Sequence, residues 1–278
     1  MKALIKLHIT NRNTFARILF GYFILLLVYR FNSGTFLIFT CGQPMKGPEM
    51  DYTFWLSHCT GFPHFVIQHY WACLLIDAGV IIFSLTCFIS DKSRFLYCTL
   101  LMLFFFIQRI TIESYSCSHS KSMSAVFIAL LPFCFKKDKH MNLVVEFSRY
   151  FLLFIMLSSA LHKFTNGLLF SPENFVNVLI NQHSDLAILN PEHISYRIAQ
   201  KLIAHPKLAA TSYILLFCTQ AVFMVGFFTR KYDTILFMLL IVFAVTTYYI
   251  MRIYNFDIVV LGLFLLYYPS SDKHRKTT

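Results

Sequence analysis

Charged residues are scarce in this chain. Asp, Glu, Lys and Arg fill 13% of its 278 positions, about half the share of an ordinary soluble domain, against 57% hydrophobic residues and a mean hydropathy of +0.62. So few charges cannot cover a water-facing surface, which excludes a soluble globular enzyme and makes lipid the solvent. Acidic residues are scarcer than basic ones, 13 against 24, for a net charge of +11. No stripe, arm or motif gathers those cations as nucleic acid would require, so no nucleic-acid partner is expected. Paired cysteines are missing too: the eight (Cys41, Cys59, Cys73, Cys87, Cys98, Cys117, Cys134, Cys218) contain no C-x-x-C pair and no Cys/His zinc spacing. That removes a zinc ribbon and a thioredoxin-type redox motif, and no metal is expected. Most of these cysteines fall inside apolar runs, where the thiol behaves as a small hydrophobe. Internal repeats are absent, which makes a transporter with paired halves the weakest function class.

What is present is apolar sequence in lengths close to the ~20 residues that cross about 30 Å of hydrocarbon. Eight runs stand out, at about Phe15–Phe31, Val66–Ile89, Phe95–Ile112, Ser122–Phe135, Val144–Leu161, Leu208–Phe228, Thr234–Ile250 and Tyr254–Tyr268. The fourth is short and contains Pro132, and only a few residues around Arg252 part the last two. The predicted fold is an all-α integral membrane protein, a single transmembrane domain over residues 1–278 with about eight transmembrane helices, or seven. The first run is preceded by Lys2, Lys6, Arg12 and Arg17 but followed by no small-residue cleavage site, so it reads as a retained helix.

With the N-terminus in the cytoplasm, fourteen of the 24 cations fall on the inner side, the clearest in the short loops Asp91 to Arg94 and Lys136 to Lys139. This is the positive-inside pattern, and it puts both termini in the cytoplasm. The two long connections, about residues 32–65 and 164–207, then face outside. Pro172 and the stretch from Pro191 to Lys207, with Ile194, Ile198, Leu202 and Ile203 at helical spacing, predict short surface helices on that face. Cys41, Cys59 and Cys117 all meet this oxidising side, where two of them could bridge.

Ionisable groups are costly in lipid and usually face the bundle interior. Glu146 and Arg149, at i and i+3, are expected to form an intrahelical ion pair. Asp77 is expected to pair with Arg109 or Arg149 or to serve a site. Lys163 ends a continuous helix one turn after Ser158, Ser159 and Ala160, small residues that let another helix approach. It either snorkels to the outer interface or sits in an apolar pocket, the setting in which lysines act as bases near neutral pH. His119, in the short outer loop Tyr115 to Lys121, meets the same face.

Three segments carry a family resemblance. Asn13-Thr-Phe-Ala-Arg17-Ile-Leu-Phe20-Gly21 resembles the opening of the first helix in the horizontally transferred transmembrane (HTTM) family, which includes vitamin K-dependent gamma-glutamyl carboxylase. Ser118-His119-Ser120, followed by an apolar run to Leu131-Pro132-Phe133, is similar to the family's histidine loop and helix. Phe154 to Phe164, containing Ser159-Ala160-Leu161-His162-Lys163, with Asn166-Gly167 after it, resembles the segment bearing the family's lysine. The resemblance implies Lys163 as the base that deprotonates a reduced quinone of the vitamin K or menaquinone type, whose reaction with oxygen yields a strong base. It implies His119 as the histidine assisting it, and His162, Arg17 and Tyr249 as quinone-binding residues. It also implies a peptide or protein substrate at the outer face. Ser118 stands where the family has asparagine, Lys121 where it has tyrosine, and the tryptophan after the lysine is absent. A noncatalytic membrane partner that assists maturation or export of a secreted peptide is the alternative.

Overall fold

The computed structural model describes residues 9–42, 59–115, 123–167 and 172–268. Helix dominates, and no strand occurs among the described residues. Six segments are long and apolar enough to cross a membrane: Arg12–Thr40, Tyr70–Ile89, Arg94–Ile112, Asp138–Thr165, Pro206–Phe228 and Asp233–Met251. Two shorter apolar helices, Ala125–Cys134 and Phe256–Leu265, occupy the fourth and eighth expected runs. Pro132 explains the first shortening: it opens a 3-10 turn, Leu131–Cys134, in which the α-helix ends. The chain is therefore an all-α, integral multi-pass membrane protein. It divides into two units, 9–145 with the chain's end from Tyr268, and 146–267.

The amino-terminal unit holds α1 (Arg12–Asn32), α2 (Leu37–Thr40), α3 (Phe62–Gln68), α4 (Tyr70–Ile89), α5 (Arg94–Tyr115), α6 (Met123–Leu130) and the start of α7 (Asp138–Thr165). The Asn11 side chain caps α1, accepting from the backbone N–H groups of Asn13 and Thr14 at 2.8 and 3.2 Å. At 21 residues α1 extends about 31 Å, enough for a span. Its inner face packs aromatic rings: Phe15 and Phe20 lie 5.9 and 5.2 Å from Phe133, and Phe23 meets Phe105 edge-on at 5.5 Å. Arg94, buried, closes the α4–α5 turn by donating to the Cys87 carbonyl and to Asn13 Oδ1, both at 2.9 Å, while pairing with Asp91.

Asp77 is 4% exposed in α4, and its partners are neither Arg109 nor Arg149. Its carboxylate accepts from Gln108 Nε2 at 2.7 Å, from the Ile38 N–H at 2.9 Å and from the Leu37 N–H at 3.3 Å. One side chain thus fastens the start of α2 to α4 and α5. Asp77→Ala leaves these donors without an acceptor and is expected to destabilise the protein by about 3 kcal/mol. Thermal unfolding in lipid nanodiscs measures it, and an unchanged midpoint would show that water replaces the carboxylate.

The carboxyl-terminal unit continues α7 and adds α8 (Pro172–Leu189), α9 (Ile194–Ala204), α10 (Pro206–Ala221), α11 (Val225–Phe228), α12 (Asp233–Met251) and α13 (Phe256–Gly262). The helices expected in the second long connection are α8 and α9. His193 Nδ1 caps α9 by accepting from the Ser195 N–H at 3.2 Å, and Pro206 starts α10 where a first turn tolerates proline. Phe175, Leu179, Leu202, Ala209 and Tyr213 form the core shared by α8, α9 and α10. Arg252 ends α12 in the left-handed region, φ 52°, with its guanidinium on the Gln182 carbonyl at 3.0 Å and on Asp185. That contact holds the Asp185 carboxyl below its ordinary range, and burial lowers the nearby His183 imidazole.

Glu146 and Arg149 do not pair with each other. Glu146 pairs with Arg230, while Arg149, 1% exposed, grips Asp233 through Nε–Oδ2 and Nη2–Oδ1 contacts of 2.8 Å each. Its Nη2 also donates to the Gly226 carbonyl at 2.7 Å.

Candidate functional site

Lys163 lies in the last turn of α7, which Gly167 terminates at φ 66° by donating its N–H to the Phe164 carbonyl at 3.1 Å. A cation there is favoured by the helix dipole. Met156, Ser159, Ala160 and Lys163 recur at three- and four-residue spacing and so form one stripe of α7. Tyr213, Leu216 and Gln220 form the matching stripe of α10. The two meet antiparallel: Gln220 Nε2 donates to Ser159 Oγ at 3.0 Å, Lys163 Nζ donates to Gln220 Oε1, and Nζ stands 5.8 Å from the centroid of the Tyr213 ring. Tyr213 is backed by Phe175, stacked at 4.8 Å and 24°. The lysine is half-buried, and Gln220 and Tyr213 are buried.

The amine lies against α10. Among the described residues it has one hydrogen-bond acceptor, a neutral amide, and no carboxylate pairs with it. An ammonium can donate three hydrogen bonds, so Gln220 leaves capacity for a ligand. Among the described residues this half-buried cation is held by an amide and an aromatic face and not by an acid.

Two of the other sequence candidates, His162 and Tyr249, belong to the same unit as Lys163. His162 is exposed and hydrogen-bonds Asn166 Nδ2 at 3.0 Å. Tyr249 is exposed and meets Tyr248 edge-on at 5.3 Å. Arg17 belongs to the amino-terminal unit, where it pairs with Asp91 at 3.2 Å. His119 lies outside the described residues, as does Cys117, and Cys41 and Cys59 are free thiols. Gln220 and Tyr213 were not singled out from the sequence. Gln220 carried a signal all the same: it is an amide inside the apolar run Leu208–Phe228, and a polar side chain in lipid calls for a partner. Among the described residues no group of three or more His, Cys, Asp or Glu is placed to hold a metal ion.

Fold and composition define a class, the helical multi-pass membrane proteins. No family model, curated protein or solved structure matches the chain.

Proposed function

We propose that this membrane protein is a base catalyst of the HTTM, gamma-carboxylase-like kind, with Lys163 as its base and a peptide or small acceptor as substrate at the outer face. The observation that carries this reading is the half-buried Lys163 amine, committed to a neutral amide and to no carboxylate among the described residues. Lysine in that setting exchanges a proton more readily than one locked in an ion pair. A reduced quinone of the vitamin K or menaquinone type, when bound, supplies through its reaction with oxygen a stronger base than any side chain here. The donor set suits such a ring: an amine with N–H groups to spare, beside the Tyr213 ring. Gln220, anchored on Ser159, orients the amine, which the apolar helices half-bury. In this orientation the basic loops face the cytoplasm.

Binding gives the direct test. Purified protein in nanodiscs, melted with and without excess reduced menaquinone, is expected to gain stability in the intact chain and to lose that gain in Lys163→Met. At a hundred times the dissociation constant the gain is about 2.7 kcal/mol. No gain, or an equal gain in both proteins, would overturn the reading. The noncatalytic-partner alternative draws on Ile188 and Leu189, exposed at the end of α8. It requires that deleting residues 172–205 abolish the cellular phenotype while Lys163→Met leaves it intact.

A further inference from the structure

Sequence spacing offers no metal motif, yet contact between elements of the amino-terminal unit gathers sulfur. Cys98 and Met102 lie four residues apart and share one face of α5. The 3-10 turn Leu131–Cys134 crosses that face. The Cys98 thiol donates to the Leu130 carbonyl at 3.3 Å, and one turn further along Cys134 Sγ lies 3.2 Å from Met102 Sδ. Cys98 meets Leu130, four residues before Cys134, so both sulfur contacts fall on the same stretch of chain. Two thiols and a thioether thus converge from two elements.

The turn that presents Cys134 is fixed from several sides. Pro132 opens it, and Phe133 packs between Phe15 and Phe20. On the far side Arg12 donates to the Phe135 carbonyl at 2.9 Å and to the Lys136 carbonyl at 3.3 Å, and pairs with Asp138. Cys134 and Met102 are only partly buried, so a small ion can reach them, whereas Cys98 is wholly buried. Lys136, Lys137 and Lys139 follow directly and offset the negative charge that two thiolates acquire. Packing of cysteines as small hydrophobes accounts for each residue singly, but it gives no reason for sulfur to meet sulfur on a braced turn.

We infer that Cys98, Cys134 and Met102 form a binding site for a soft monovalent metal ion, copper(I). Thiolate and thioether donors select copper(I), whereas zinc takes cysteine, histidine and carboxylate ligands and would find two here. Binding displaces the two thiol protons and leaves the oxidation state of metal and sulfur unchanged.

The test is a titration of the reduced full-length protein in nanodiscs, under nitrogen, with copper(I) in competition with bicinchoninate. One copper per chain is expected. Losing a direct ligand should cost at least the 10–100-fold known for outer-shell groups, so Cys98→Ser and Cys134→Ser are each expected to weaken binding by about 100-fold or more, and Met102→Leu by about 10-fold. Cys59→Ser and Cys218→Ser, at exposed thiols, are expected to change nothing. Met102→Leu keeps volume and apolarity, so its loss of affinity separates ligation from misfolding. X-ray absorption on the loaded protein should show sulfur neighbours alone. The assignment is overturned by the absence of stoichiometric binding, by affinity that survives in the Cys98→Ser/Cys134→Ser double variant, or by zinc outcompeting copper(I). It is equally overturned if the two thiols oxidise to a disulfide with no prior affinity for the ion.

Discussion

Asp233→Ala is expected to destabilise the protein by about 3–5 kcal/mol, while Arg149→Met combined with Asp233→Leu recovers most of that loss. Both partners are 1% exposed. Removing only the carboxylate takes from a buried guanidinium its Nε acceptor and one of its two Nη2 acceptors, leaving the Gly226 carbonyl on Nη2. Removing both charges takes away the desolvation cost together with the attraction, which is why apolar replacement of a buried pair is often neutral or better. The close approach of the Gly226 backbone depends on the absent side chain, since a Cβ there would lie 2.6 Å from Leu153 Cδ2. Thermal unfolding of Arg149→Met, Asp233→Leu and their double variant in nanodiscs gives the coupling energy. Equal losses in the single and double variants would mean that the pair's surroundings, rather than its charge balance, carry the stability.

This ion pair also marks where sequence reasoning stops. Glu146 and Arg149 sit at a spacing that brings side chains together on one helix, and local spacing is all that a single helix reveals. Each found a stronger partner from a distant part of the chain, Arg230 and Asp233, which flank the start of α12. Asp77 follows the same logic: its burial was legible from an apolar run, whereas its role as acceptor for two N–H groups of α2 depends on how the chain returns after α1. The spans themselves were legible, because a run of apolar residues near 20 is a property of the sequence before any packing. Pro132 made the fourth run doubtful for the reason that it is short, and Pro172, His193 and Pro206 open or cap the helices expected in the second connection. The lysine site was half legible. Lys163 and the small residues preceding it stood out on α7, but Gln220 and Tyr213 joined them only through an antiparallel contact that spacing cannot encode. The sulfur cluster is the sharper case, since cysteines at positions 98 and 134 read as unrelated hydrophobes until a 3-10 turn brings Cys134 against Met102, on the helix face that Cys98 shares.

Under the proposed function, Lys163→Ala is expected to slow turnover of the reduced quinone and its acceptor by about 10²–10⁴-fold, the span by which a positioned general base accelerates proton transfer. Alanine removes the amine but keeps α7 helical, and leaving the buried Gln220 oxygen without its donor costs about 1–3 kcal/mol, so the unfolding midpoint is measured beside activity. Lys163→Arg is the decisive companion. Arginine retains the positive charge and the reach to Gln220 and Tyr213, yet its guanidinium does not release a proton at any physiological pH. A base mechanism therefore predicts that Lys163→Arg is as slow as Lys163→Ala, whereas a lysine serving only as a fixed cation predicts near-normal turnover in the arginine variant. Gln220→Leu separates positioning from chemistry. It keeps the amine but frees it from the acceptor that orients it and leaves Ser159 without its amide partner, so a partial loss is expected, smaller than that of Lys163→Ala. Gln220→Glu acts in the opposite sense, because a carboxylate at Oε1 would hold the amine as an ammonium and slow its proton exchange although the geometry is kept. Wild-type turnover in Lys163→Ala, in protein shown to be folded by its unfolding midpoint, would remove the catalytic assignment of this residue.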